Sequence, residues 1–274
     1  MIIEPFCKDD IAGFLALAAE ECWVAEPWEF KFLLSAFSQG CFAAREEDGA
    51  TVGFVTSLRH ERSGWIGNLI VSPECRGRGI GEALFRAAQE TLLDSGVETV
   101  WLTASKEGQL LYQKCGFTRI DTVIRWNSSG RQRCSDNEVE VVCNYVDPLL
   151  KDIDSRAWGD QRTALLAVTA GRGNVLQQES GFVMAQPAGG DMQLGPFSAP
   201  GYSTAEVLLK RALSAIPSGT KVCLDAPASN RTAMQLFNRN KMRIAGSSEL
   251  MYAGVKPAYR PELLYGLATM GSCG

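Results

Sequence analysis

Six residues carry the sharpest chemical signal in the chain: Arg76-Gly77-Arg78-Gly79-Ile80-Gly81, within the stretch IVSPECRGRGIGEALF at residues 70–85. Three alternate glycines leave main-chain N–H groups uncovered by side chains and permit positive φ. An apolar run precedes the loop and helical spacing follows it. The loop therefore opens a helix N-terminus, where the first N–H groups have no intrahelical acceptor and the dipole is positive. Such a place binds phosphate, and Arg76 and Arg78 add planar, bidentate donors. A nucleotide P-loop needs Gly-Lys-Ser/Thr, and no Gly-Lys dipeptide occurs in the chain. A dinucleotide fingerprint puts its third glycine where this chain has Glu82, an acid that repels phosphate. A second constellation follows downstream: Ala104-Ser105, then Leu110-Leu111-Tyr112, then Cys115-Gly116-Phe117.

The elements that must position these groups alternate between strand and helix. Apolar periodicity and turn residues predict strands at residues 2–6, 41–45, 51–57, 65–71, 99–103 and 117–126, and helices at 8–22, 26–37, 80–93 and 108–114. Residues 127–137 (NSSGRQRCSDN) are polar and turn-rich and read as the domain linker, with a strand expected at 138–146 and one long helix at 149–170. A length of 274 residues favours two domains, here 1–130 and 138–274. Hydrophobic residues make up 46% of the chain and charged residues 21%, so a core can form without disulfides or metal. The net charge of −4 leaves no basic footprint for nucleic acid. Nine scattered cysteines without a C-x-x-C pair, and a single histidine, give no zinc pattern; no metal is expected, and the cysteines fit a reducing cytoplasm. The first residues, MIIEPFCKDD, lack the pattern of a secretory leader, and no apolar run reaches the length of a membrane span.

The loop matches Arg/Gln-x-x-Gly-x-Gly/Ala through Arg76, Gly79 and Gly81. With the strand before it, the helix after it and Tyr112 four residues ahead of Gly116-Phe117, this part of the chain resembles the GNAT acetyltransferase family. The resemblance implies an enzyme that takes acetyl-coenzyme A as acyl donor and an amine as acceptor. Arg76, Gly77, Arg78, Gly79, Ile80 and Gly81 would hold the pyrophosphate, with Ser105 and Tyr112 also at the cofactor. The main chain of residues 68–71, including Ile70 and Val71, would pair with the pantetheine arm. N–H groups near Leu69 and Ile70 would polarise the thioester carbonyl, and Tyr112 would protonate the departing sulfur. An amine with a lysine-like pKa is neutral in roughly one molecule in 2,500 at pH 7, a cost of about 4.6 kcal/mol, so a base is valuable. The strand at 65–71 (WIGNLIV) holds no carboxylate, only Asn68. Glu29, His60 and a residue of the second domain acting through water remain open as the base.

The second half repeats the first in layout. Gly53-Phe54-Val55 recurs as Gly181-Phe182-Val183, residues 82–88 (EALFRAA) as 206–212 (EVLLKRA), and residues 100–103 as 222–225. Opposite the loop stand Pro200-Gly201-Tyr202-Ser203-Thr204-Ala205, which carry no arginine; Tyr112 corresponds to Phe237 and Gly116 to Lys241. This half reads as a degenerate acetyltransferase-like domain that shapes the acceptor site. WIGNLIVSPECRGRGIG, Leu102–Ser105, Arg125-Trp126, AWGDQR at 157–162 and LDAPASN at 224–230 together resemble the bacterial YitH-type subgroup. Its Arg before Met-Tyr-x-Gly is replaced here by Glu249-Leu250. The fold expected is α/β (α+β), two tandem GNAT-like domains, each a mixed, mostly antiparallel sheet flanked by helices. Trp28, Glu29, Asp160, Arg162 and Asp225 are the candidate acceptor contacts, with Trp23 and Trp158 as pocket aromatics. The expected partner is a small-molecule amine, with no nucleic acid and no membrane; a homodimer stays open. A non-catalytic acyl-coenzyme A sensor and a peptide or protein-lysine acetyltransferase are the competing readings.

Overall fold

The computed structural model describes residues 1–106, 108–131, 146–178 and 180–274. The chain divides into two units: Met1–Thr118 with Met251–Lys256 and Gly271–Cys273, and Arg119–Leu250 with Pro257–Met270 and Gly274.

The first unit contains β1 (Ile2–Pro5), α1 (Asp10–Glu20), α2 (Pro27–Phe37), β2 (Phe42–Arg45), β3 (Thr51–Arg59), β4 (Ser63–Val71), α3 (Ile80–Asp94), β5 (Thr99–Ala104) and α4 (Gln109–Lys114). Its sheet runs β1-β2-β3-β4-β5, antiparallel as far as β4, with β4 and β5 parallel. Each face has its own core. On one, α3 buries Ile80, Leu84, Phe85, Ala88 and Leu92, a helical stripe, against Val55, Ile66 and Leu102. Elsewhere in the unit, Phe14 of α1 and Phe30 of α2 meet with ring centroids 4.4 Å apart, and Phe54 of β3 closes on Phe14 at 5.8 Å. Burying each of these rings is worth about 1.5–3 kcal/mol.

The second unit contains β6 (Thr118–Ser129), α5 (Pro148–Trp158), α6 (Thr163–Arg172), β7 (Asn174–Gln178), β8 (Gly181–Ala188), β9 (Asp191–Ser198), α7 (Tyr202–Ala215), β10 (Lys221–Pro227), α8 (Arg231–Arg239), β11 (Arg243–Gly254, to Leu250 in this unit) and β12 (Leu264–Gly266). The sheet order is β11-β6-β10-β9-β8-β7, with β12 on β9. Two expectations change. The division falls at Thr118, because β6 pairs with β10 from Val123 to Ser129, so Asn127–Ser129 are strand and not linker. Residues 132–145, which hold the rest of the expected linker and nearly all of the strand expected next, lie outside the described residues. The long helix expected at 149–170 is two helices: Gly159 turns left-handed (φ 89°) and ends α5.

The duplication is visible in the strands. Between β3 and β4 the register slips, from Phe54↔Ile70 to Thr56↔Gly67. Between β8 and β9 it slips likewise, from Val183↔Phe197 to Ala185↔Leu194. Gly195 follows Gly181 at the spacing by which Gly67 follows Gly53. The two units then diverge. In the second, β9 pairs with β10 only at Val222↔Met192 and Cys223↔Gln193, and the chain itself enters the gap beyond. There β12 pairs antiparallel with β9, and the next residue, Leu267, donates its N–H to Asp225 O of β10 at 2.8 Å. Asn230 caps α8 by accepting from Ala233 N at 2.9 Å and holds this insert by donating to Leu264 O at 2.7 Å.

Asp225 anchors β10 from within. It is fully buried and accepts from Arg125 Nε and Nη2, both at 2.8 Å, and from Gln193 Nε2 at 3.1 Å. Asp225→Ala leaves the partly buried guanidinium of Arg125 without its counter-charge. Such losses cost about 3–5 kcal/mol, read as an earlier denaturant midpoint of the second unit. A change below about 1 kcal/mol contradicts this role.

Candidate active site

β4 and β5 stay paired only through Ser63↔Thr99, Gly64↔Val100 and Trp65↔Trp101. Beyond Trp65 each strand runs on without the other, β4 to Val71 and β5 to Ala104. The register slip against β3 marks a bulge at the same place. Its pivot is Asn68, which sits in the left-handed region (φ 55°) and donates from Nδ2 to Thr56 Oγ1 at 3.0 Å. Asn tolerates this conformation better than other side-chain-bearing residues. A bulge bends its strand away from a neighbour, and beyond Trp65 the side of β4 that had faced β5 has no β5 partner. Among the described residues, no chain segment pairs with β4 there as β12 pairs with β9 in the second unit.

The end of β4 leads through a short 3₁₀ turn (Pro73–Cys75) into the glycine loop. Gly77 (φ 75°) and Gly79 (φ 80°) are both left-handed, and a Cβ on either meets nothing within 4 Å. These glycines serve backbone conformation and the space in front of the loop, not packing within the chain. Gly79 is the N-cap of α3, whose first helical bond runs from Ala83 N to Gly79 O at 3.0 Å. The amides of Ile80, Gly81 and Glu82 thus precede the helical ladder and remain available to an anion. Gly81 stands close to β4, where an added Cβ would touch Val71 Cγ2 at 3.6 Å.

Both loop arginines pair with acids. Arg76 donates from Nε to Val71 O at 3.0 Å and pairs with Glu21 at the end of α1. Arg78 pairs with Glu46 at 2.8 Å. About half of each arginine side chain is exposed, so each pair is worth little and yields to a multivalent anion.

Tyr112 lies on α4, its ring 5.0 Å from Phe85 of α3 and 6.3 Å from Phe117. Burial pushes its hydroxyl up to about 12. Ser105 ends the β5 side of the gap and accepts from Gly108 N at 3.2 Å, fixing the turn into α4. Glu29 is on α2 and buried, and Trp28 beside it donates its indole N–H to Glu26 at 3.2 Å. His60 follows β3 in the hairpin turn, its N–H on Ser63 O at 2.7 Å, but its side chain is buried and not solvated. Trp23 is an exposed residue of the α1–α2 loop.

The candidate acceptor contacts of the second half are placed otherwise than expected. Arg162 is buried, bonded to both carboxylate oxygens of Asp154 (2.7 and 3.0 Å) and stacked 4.3 Å over Trp158. Asp225 is committed to Arg125 and Gln193. Asp160 is buried in the turn between α5 and α6 and accepts from Gln161 N at 2.8 Å. Arg162 and Asp225 have no surface to offer an acceptor, because each is part of an internal ion pair. Phe237, the counterpart of Tyr112, is fully buried against Trp126, 5.6 Å between centroids.

Comparison with known proteins agrees with this geometry. Two acetyltransferase (GNAT) domain models match, one at residues 38–119 and one at 150–266, together well over half the chain. An uncharacterized N-acetyltransferase of Methanocaldococcus jannaschii is 30% identical over 43% of this chain and 61% of its own length. A mycothiol acetyltransferase of Paenarthrobacter aurescens is 34% identical over 32% of this chain and 30% of its own length. An N-alpha-acetyltransferase of Arabidopsis thaliana is 29% identical over 39% of this chain and 61% of its own length. The chain spans less than two thirds of the length of each of these curated relatives. A crystal structure from Pyrococcus horikoshii, assigned as an acetyltransferase, superposes with a TM-score of 0.87 at 26% identity over 100% of this chain and 95% of the other. These findings name the family and not the subgroup. With a GNAT domain in each half, the chain belongs to the GNAT acetyltransferase family as a tandem of two such domains.

Proposed function

We propose that the first unit transfers an acetyl group from acetyl-coenzyme A to the amine of a small molecule, by direct attack on the thioester. The observation that carries this reading is the parting of β4 from β5 at Trp65, leading without interruption into the glycine loop. Acetyl-coenzyme A, when bound, supplies a thioester carbonyl and a thiol leaving group. The amides of residues 77–82 hold its pyrophosphate, with Arg76 and Arg78 released from Glu21 and Glu46. The exposed main chain of Ile70 and Val71 pairs with the pantetheine amides, and Ser105 lines the opposite side. The bulge at Asn68 turns the N–H groups of Leu69 and Ile70 toward the carbonyl oxygen, where they stabilise the oxyanion.

The state of Tyr112 refines its role. A thiol of the coenzyme A kind has a pKa near 8.5. Full proton transfer from a hydroxyl near 12 to a thiolate of that pKa is uphill. Tyr112 therefore serves the departing sulfur as a hydrogen-bond donor, and the proton that neutralises the thiolate comes from the solvated amine or water. Glu29, a buried carboxylate on α2, is the candidate to receive the amine proton, with Trp28 beside it at the acceptor.

The second unit takes no coenzyme A in this reading. Its equivalent gap is filled by β12, its loop has no arginine and its Tyr112 counterpart is Phe237. It is a degenerate acetyltransferase-like domain. A peptide amine is the second reading, favoured by the identity to an N-alpha-acetyltransferase over 39% of the chain. Thiol release measured across panels of small amines and short peptides separates the two.

Gly79→Glu, which forces a side chain into the left-handed region and sets a negative charge before α3, weakens acetyl-coenzyme A binding at least 100-fold by calorimetry; unchanged affinity refutes the loop assignment. Wild-type titration gives one acetyl-coenzyme A per chain, and a stoichiometry of two contradicts the filled second gap. Tyr112→Phe removes a hydrogen bond to developing charge, worth about 1.5–3 kcal/mol, so kcat falls about 10- to 100-fold with affinity within a few-fold. Because Tyr112 stays protonated well past its ordinary value of 10, kcat/KM rises with pH as the amine deprotonates. A descending limb between pH 8 and 10 in the wild type that vanishes in Tyr112→Phe would falsify that assignment.

A further inference from the structure

We infer that Gly271-Ser272-Cys273 forms a stop at the acyl end of the β4–β5 gap and limits the length of the acyl group the chain accepts. The inference rests on the acyl-transfer reading above. By strand alternation, Ile66 points into the core under α3, and Trp65 and Gly67 point to the opposite face. On that face the late segment of the chain meets β4. A Cβ on Gly67 would lie 2.3 Å from Gly271 O and 2.7 Å from Ser272 O, so main chain stands where a side chain at residue 67 would be. The indole N–H of Trp65 donates to Gly271 O at 3.5 Å, and Ser272 and Cys273 are buried.

The position along β4 gives this contact its meaning. A donor whose diphosphate sits at residues 77–82 enters the gap from the Val71 end, and its carbonyl lies at Leu69 and Ile70. Whatever is attached to that carbonyl extends toward the apex, where the strands rejoin at Trp65↔Trp101. Gly67 lies between, and the carbonyl groups of Gly271 and Ser272 stand against it. A methyl group stops short of them. A longer alkyl chain meets main-chain oxygens whose desolvation it cannot compensate. The second unit repeats the contact: a Cβ on Gly195 would lie 1.8 Å from Leu267 O, and there the intruding segment fills the gap.

The experiment is calorimetric titration of the full chain with acetyl-, propionyl-, butyryl- and hexanoyl-coenzyme A. The wild type is expected to bind butyryl-coenzyme A at least tenfold more weakly than acetyl-coenzyme A. Gly67→Ala, which displaces the segment, and deletion of residues 271–274 are each expected to bring that ratio within about threefold, with acetyl-coenzyme A affinity held within threefold. Should Gly67→Ala fail to fold, the deletion and the wild-type series decide. Equal wild-type affinities for acetyl and butyryl donors, or an unaltered ratio in a folded variant, overturn the inference. A wild type that binds no acyl-coenzyme A at all is a different result, and it overturns the parent reading.

Discussion

One constraint organises the first unit: a parallel strand pair that is made for three residues and then broken. A sheet stabilises itself by pairing every N–H and C=O, so an interior gap is costly unless something else fills it. Here the break is built into the chain. Asn68 holds a left-handed conformation, Thr56 secures its side chain, and the register against β3 shifts to absorb the extra residue. The core beneath α3 holds Ile66, Leu84 and Phe85, and Leu69 and Val71 pack against it. The fold thus holds the gap open with packing on one side of it, and the groups left facing the gap are polar main chain, suited to the amides of an extended ligand.

The second unit shows the same constraint answered internally. Its strands part at the equivalent point, and β12 supplies the missing pairing. Asp225, Asn230 and Arg125, conspicuous in the sequence as LDAPASN and Arg-Trp, are the residues that keep this arrangement in place. Polar residues in a suggestive motif hold a buried ion pair and a helix cap. In the second unit β12 occupies the place that stays open beside β4 among the described residues.

Much of this was legible beforehand, for identifiable reasons. The glycine loop is local: six consecutive residues specify their own conformation, and positive φ at Gly77 and Gly79 follows from their type. The short helix that carries Tyr112 was legible from the residues before Gly116-Phe117. The strands and the amphipathic α3 followed from periodicity. What failed was non-local. Nothing near Leu264 announces that it pairs with β9, and nothing near Met251 that it returns to the first unit. Arg162 and Asp225 looked like surface recognition groups because burial of a charge depends on a distant partner. Two signals were available and unread. Gly67 and Gly195 recur at one spacing within the duplication, and a lone Asn in an apolar strand is a signature of a bulge.

The central claim is that the open gap and the loop beyond it form a single donor site in the first unit. Amide hydrogen exchange with and without acetyl-coenzyme A tests it residue by residue. The account predicts slowed exchange at residues 69–71 and 77–82 on addition of the donor, and no change at residues 194–198 of the filled gap. Protection appearing in the second stretch, or none in the first, contradicts it.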